Sequence, residues 1–325
     1  MKKNSFLPLL TSWIENNHSA CLAIVISTWG SAPRQPGSTM VVRDDLHVEG
    51  SVSGGCVEGE VIRLSQEIMM DGIPRLKQFG VADESAWEVG LSCGGNISVL
   101  ILPVADTGIS LSILKQLTAA ESKRKPLDVI FNISDIEKIN IIIQNPSLPM
   151  NFVHKSTYNE KEQIFTLRIR PCNQVIIVGA GHISQVLSQL SVAMDLDVTV
   201  IDPRSVFLNE KRFPDIEIRL GWPQDVLPNL SIDAQTAIVT LTHDPKIDDP
   251  ALLHSLNTNA YYIGCLGSTK THQARLKRLK MVGVSDKSVS RLYGPAGIPL
   301  GGRAASEIAL SILAELVSIF NKPNN

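Results

Sequence analysis

The C-terminal half of the chain alternates between short uninterrupted apolar runs and longer stretches with helical spacing. Gln174-Val175-Ile176-Ile177-Val178 is rich in β-branched residues, the mark of a strand buried on both faces. Gly179-Ala180-Gly181-His182-Ile183-Ser184 follows, then a helix-period stretch to about 194 and a second apolar run over 197–201 that ends at Asp202. Further strands are predicted at 216–220, 236–241 and 261–265, and helices at 251–257 and 270–281. A strongly apolar helix is predicted over 303–320, after the Gly-rich stretch 294–302. Strands and helices alternating in this way predict a parallel, doubly wound sheet of the Rossmann type.

The N-terminal half predicts a smaller mixed α/β domain. Helical spacing covers 9–16, strands are predicted at 21–28, 39–42 and 97–102, and 57–70 is an amphipathic helix with Val57, Val61, Leu64 and Ile68 on one face. Between about 121 and 170 the pattern weakens into strand-like patches separated by polar stretches. The domain boundary is placed there, giving 1–165 as one domain and 166–325 as the other. The 325 residues suit two domains.

Composition narrows the classes. The net charge of -2 removes the electrostatic footprint of a general nucleic-acid binder. No apolar run reaches the roughly 18 residues that cross a bilayer, and the start makes a poor secretory signal. The five cysteines are scattered without a C-x-x-C pair, which argues against a disulfide framework or a zinc knuckle. The expectation is a reduced, cytoplasmic protein. No phosphate loop, H-E-x-x-H or G-x-S-x-G elbow is present.

Two regions carry candidate chemistry. In the C-terminal half, Gly179 permits the tight turn and Gly181 lets backbone approach a phosphate at the following helix N-terminus, with His182 first in that helix. Asp202, about 20 residues on, stands where an acid bonds ribose hydroxyls, with Arg204 beside it for a phosphate. His243 and Gly267 follow later strands and are expected to face the same crevice, which would take NAD(P) or another nucleotide. In the N-terminal half, Arg34 lies in a Pro/Gly loop over 30–38. Ser53-Gly54-Gly55-Cys56 precedes the amphipathic helix, and Cys93-Gly94-Gly95 precedes a strand. Ser53, Gly54 and Gly55 are expected to bind an anion through their amides. Cys56 at a helix start is expected to favour its thiolate, and Glu58 to complement the helix dipole. The account requires Cys56 and Cys93 to meet beside an open pocket.

These blocks, together with the ending over 294–310, resemble the xanthine dehydrogenase accessory factors of the XdhC/CoxI family. The resemblance spans nearly the whole chain outside 122–170. It implies a chaperone rather than a catalyst. Such a protein binds molybdopterin, protects it while a cysteine desulfurase exchanges an oxo ligand for sulfur, and hands it to the molybdenum-binding subunit of xanthine dehydrogenase or a related hydroxylase. Cys56 and Cys93 are then the thiols near molybdenum, with Arg34 and the Ser53–Gly55 amides near anionic groups. A homodimer is expected. The alternative from another class is an NAD(P)-binding oxidoreductase or NAD-binding subunit, for which Gly179, Gly181 and Asp202 speak. A third is a scaffold that binds neither small molecule.

Overall fold

A computed structural model of the chain describes residues 6–30, 34–80, 95–145 and 155–321. Two compact units divide between Pro171 and Cys172. The last strand of the N-terminal unit runs through the expected boundary at 165/166, so that boundary moves to the end of this strand.

The N-terminal unit begins with helix α1 (Phe6–Glu15), whose Leu7, Leu10 and Trp13 recur at helical spacing and are buried. Strands β1 (Ala20–Trp29), β2 (Thr39–Arg43) and β3 (Val48–Gly50) follow, then helix α2 (Glu58–Asp71) and strands β4 (Arg75–Phe79) and β5 (Asn96–Pro103). They form an antiparallel sheet in the order β3-β2-β1-β5-β4. Strand β1 is apolar on both sides. Cys21, Ala23 and Val25 pack under Val61, Leu64 and Ile68 of α2. Leu22, Ile24 and Ile26 face α1 and a second layer. That layer comprises helix α3 (Leu111–Ser122) and strands β6 (Leu127–Asn132), β7 (Asn140–Gln144), β8 (Thr157–Asn159) and β9 (Ile164–Ile169), paired antiparallel as β7-β6-β9-β8. Strands β7 and β8 are short edges with no buried residue, which is why 121–170 gives so weak a periodic signal.

The register fixes where the loops go. Trp29 pairs with Asn96, Ile24 with Thr39, Met40 with Gly50, and Phe79 with Ile97. The C-terminal ends of β1, β3 and β4 and the N-terminal ends of β2 and β5 therefore share one end of the sheet.

The C-terminal unit contains β10 (Gln174–Val178), α4 (His182–Ala193), β11 (Asp197–Asp202), β12 (Glu217–Leu220), the short α5 (Pro223–Val226), β13 (Thr236–Thr240), α6 (Pro245–Leu256), β14 (Tyr262–Cys265), α7 (Thr269–Met281), the short α8 (Asp286–Val289), β15 (Leu292–Tyr293) and α9 (Ala305–Phe320). All sheet pairings are parallel and the order is β12-β11-β10-β13-β14-β15. This is the 3-2-1-4-5-6 order of the Rossmann fold, with the direction of winding reversing between β10 and β13. Val175, Ile177, Leu187, Ile312 and Leu316 form the core on the side of α4 and α9. Ile176, Val178, Leu252 and Leu279 form it on the side of α6 and α7. The apolar face of α9 is thus spent inside its own domain. Ala309, Ile312, Leu313 and Leu316 of that helix are buried there. Among the described residues no helix is long and apolar enough to cross a membrane.

Candidate functional site

The Gly-rich blocks of the N-terminal unit leave the five-stranded sheet at its shared end. The loop carrying exposed Arg34 joins β1 to β2, and the loop carrying Ser53 to Cys56 joins β3 to α2. Gly95, which is buried, leads directly into β5; Cys93 and Gly94 lie outside the described residues. The expected meeting of Cys56 and Cys93 is for that reason not part of the geometry below. Gly50 must be glycine, because a Cβ there would sit 2.4 Å from the Thr39 carbonyl oxygen.

The 51–57 loop is an anion nest with its anion already in place. Gly54 and Gly55 both hold positive φ, +88° and +126°, so successive N–H groups turn inward. What they meet is the carboxylate of Glu58. Its Oε1 accepts from Ser51 Oγ at 2.7 Å, Ser53 N at 2.9 Å and Gly54 N at 3.1 Å. Its Oε2 accepts from Ser53 Oγ at 2.5 Å, Gly55 N at 2.9 Å and Val57 N at 3.2 Å. Burial alone would raise this carboxyl, but the Ser53 and Ser51 hydroxyls and the amides outweigh it and hold it at about 2. The expectation that Ser53, Gly54 and Gly55 cradle an external anion is therefore corrected: their amides are spent on an acid three to five residues away. The positive end of α2 likewise faces Glu58 before it faces the sulfur of Cys56. Cys56 itself is half-buried against the Val57–Val61 cluster, with its N–H donated to Ser53 Oγ at 2.9 Å.

In the C-terminal unit the strand ends around the reversal of winding collect the other candidates. Gly179 has φ +108°, and a Cβ there would lie 2.5 Å from Thr242 Cγ2, so only glycine lets β10 and β13 close up. Gly181 precedes α4 without a side-chain cap and its missing Cβ points into open space. His182 and His243 are exposed, His243 with φ +62° at the end of β13, and Gly267 follows β14. The structure places Gly179, Gly181, His182, Arg204, His243 and Gly267 at carboxyl ends of strands.

Asp202 departs from its expected role. It is 0% exposed. Oδ2 accepts from Ala180 N at 2.7 Å and Arg204 Nη2 at 2.8 Å, and Oδ1 from Arg204 N at 2.8 Å and Nε at 2.9 Å. Burial pushes its carboxyl up, but the Arg204 and Ala180 donors prevail and lower it. Both oxygens are committed, so the acid clamps the Gly-rich turn instead of presenting itself to a ribose. Arg204 is committed with it and lies over the Phe207 ring at 4.7 Å.

One buried pair escaped sequence reasoning. Arg275, 2% exposed, donates to the Leu266 carbonyl at 2.8 Å and stands 3.8 Å from Asp248 Oδ2. Asp248 in turn accepts from Thr242 Oγ1 at 2.6 Å. This relay ties the loops after β13 and β14 together beneath the crevice. Its signal was an arginine in the middle of a predicted helix, which reads as a surface charge. Cys265 is wholly buried, its thiol pushed up to about 12 by burial. Among the described residues no group of three His, Cys, Asp or Glu side chains is arranged to hold a metal ion.

Comparison with known families matches residues 13–80 to the XdhC and CoxI family and residues 175–316 to the XdhC Rossmann domain. The chain belongs to the XdhC and CoxI family. The first of the family's two segments contains Arg34, the Glu58 nest and Cys56, and the second contains the whole strand-end crevice. Among relatives, the molybdenum cofactor insertion chaperone PaoD of Escherichia coli is 28% identical over 92% of this chain and 83% of its own length. A protein of Bacillus subtilis described as a probable subunit of xanthine dehydrogenase is 25% identical over 96% and 97%. A crystal structure named as a xanthine dehydrogenase from Bacillus halodurans superposes with a TM-score of 0.76 at 26% identity, covering 97% of this chain and 95% of that one. The XdhC fold, a Rossmann-type domain preceded by a mixed α/β unit, is thus shared along the whole length.

Proposed function

We propose that this chain is a molybdenum cofactor insertion chaperone. In this reading it takes up the molybdopterin form of the cofactor and shelters it while a cysteine desulfurase replaces an oxo ligand by sulfur. It then passes the cofactor to the molybdenum-binding subunit of xanthine dehydrogenase or a related hydroxylase. The name of PaoD supports insertion of a molybdenum cofactor, and the names of the Bacillus relatives support xanthine dehydrogenase as the associated enzyme. The observation that carries it is the gathering of the Arg34 loop, the Cys56 loop and the Gly95 approach at one end of one sheet. Glycines there keep the backbone low around a sulfur ligand, and a thiolate suits molybdenum better than a carboxylate does. Cys56 is the thiol offered to the metal, Cys93 is the second candidate thiol on sequence grounds, and Arg34 is the cation for an anionic group. The chain works in the cytoplasm, as a dimer, and is a carrier, not a catalyst.

Anaerobic co-expression with the client hydroxylase tests this. Purified wild-type protein should carry molybdenum and yield fluorescent pterin oxidation products, while Cys56→Ala should fold, lose most of both and fail to activate the client. Full loading and full activation by Cys56→Ala would overturn the role of the sulfur; a wild type that never carries pterin would overturn the function. The second reading, a nicotinamide nucleotide in the Rossmann crevice, has the 3-2-1-4-5-6 strand order and the Gly179 turn in its favour. The commitment of Asp202 to Arg204 and Ala180 weighs against it. Titration with NAD(H) separates the two.

A further inference from the structure

The five-stranded sheet has a cleft at the loop-bearing end described above, and no motif in the sequence marks it. It has a volume of about 450 Å³, within the range of small-molecule sites. Its floor follows from the register. Ile97 and Val99 face α2, so Asn96 and Ser98 between and before them face the other way. Ser98 has Ser27 and Gln78 as its cross-strand partners, and Asn96 has Trp29. This face of the cleft is therefore a row of hydroxyls and amides, with Phe79 and Ile97 completing the lining from the same strands. Gly80 allows this packing, because a Cβ there would fall 1.9 Å from Asn96 Oδ1. Trp29 lines the cleft with 72% of its surface exposed, and Glu160, from the turn between β8 and β9, lines it from the second sheet.

An indole plate, a carboxylate and a floor of amides and hydroxyls form a consistent set. The plate offers a flat apolar face to stack on. The carboxylate accepts two hydrogen bonds from adjacent N–H donors, such as the amino group and ring N–H of a 2-amino-4-oxo pyrimidine edge. Asparagine and glutamine supply both donors and acceptors to the remaining ring edge. No Lys or Arg lines the cleft among the described residues, so it favours an uncharged heterocycle over a phosphate. We propose that this cleft binds a planar amino-oxo heterocycle of the pterin class, stacked on Trp29 with its amino edge on Glu160. The inference rests on the chaperone reading and gives that reading a place for the organic part of the cargo, separate from the sulfur that meets the metal.

The test uses the intact protein and 6-hydroxymethylpterin as probe, followed by fluorescence anisotropy, with guanosine as the competitor that shares the amino-oxo edge. Wild type should bind the pterin and prefer it to guanosine. Glu160→Gln should weaken binding about tenfold or more, the loss expected of a hydrogen bond to a charged group. Trp29→Ala should weaken it about fivefold or more through lost stacking. Both side chains are exposed, and near-UV circular dichroism verifies that the variants fold. Absence of pterin binding by wild type, guanosine competing as well as pterin, or variants equal to wild type would each overturn the site. The broader function is scored separately by cofactor content after anaerobic co-purification. A wild type loaded with cofactor whose Trp29 and Glu160 variants load equally sinks the cleft and leaves the chaperone standing.

Discussion

Replacing Glu58 by glutamine tests the nest most directly. The side chain keeps its shape, but one carboxylate oxygen becomes an NH2 group. Placed at Oε2, that group confronts the N–H of Gly55 and Val57; placed at Oε1, it confronts those of Val52, Ser53 and Gly54. Val57 and Gly54 keep the Ser53 and Ser51 hydroxyls as acceptors. The donors left without one are Gly55 in the first orientation and Val52 and Ser53 in the second, at about 1–3 kcal/mol each if fully desolvated. Gly54 and Gly55 are exposed, so water recovers part of this. A carboxyl held at about 2 instead of 4.5 bounds the preference for the charged form at ~3 kcal/mol, and partial exposure reduces it. A loss of about 2 kcal/mol for the N-terminal unit is expected, read from urea unfolding. Hydrogen exchange supplies the local readout: amides 53–55 should exchange much faster in the variant while the amides of β1 do not. The pH dependence has a definite sign. Because the folded carboxyl is lowered, its contribution is complete above about 4.5 and fades as pH falls toward 2, so wild type should lose more stability over that interval than Glu58→Gln. A change below about 0.5 kcal/mol with unaltered exchange would refute the view that this acid organises the loop.

Two further expectations concern the crevice. Gly179→Ala combines a left-handed backbone at +108° with a Cβ 2.5 Å from Thr242 Cγ2; it should cost the C-terminal unit about 2–4 kcal/mol, and an unchanged melting temperature would contradict the packing described. Arg275→Met removes one member of a buried pair and the donor to Leu266; it should destabilise by about 3 kcal/mol or more, and thermal unfolding indistinguishable from wild type would mean the pair is idle.

The C-terminal unit was legible because β10, β11, β13 and β14 are covered on both faces and read as unbroken apolar runs. Helix α9 was legible because Ala309, Ile312, Leu313 and Leu316 recur at helical spacing along its buried face. Strand β4 was not, since Arg75-Leu76-Lys77-Gln78-Phe79 buries only Phe79, nor was α3, where only Leu114 and Leu117 are buried. The edge strand β7 turns Ile142 outward, which scrambles the alternation. At the candidate sites, glycines announced where the backbone bends but not what fills the bend. Glu58 and Arg204 reach their partners by side-chain choices within a few residues, and periodicity carries no trace of that. Trp29 and Glu160 come from separate sheets, and only the packing of one sheet on the other brings them to one cleft.

Each of the two Gly-rich turns closes on an acid from this same chain, Glu58 in one and Asp202 in the other. A covalently linked rival is present at an effective concentration of order millimolar or higher, whereas a visiting anion must supply its own. Phosphate groups alone are thereby poor competitors for these amides, and tight capture through them would demand that the resident acid swing away. On the proposed chaperone reading, such built-in rivalry keeps the grip shallow at the charged end and lets a receiving enzyme win the exchange.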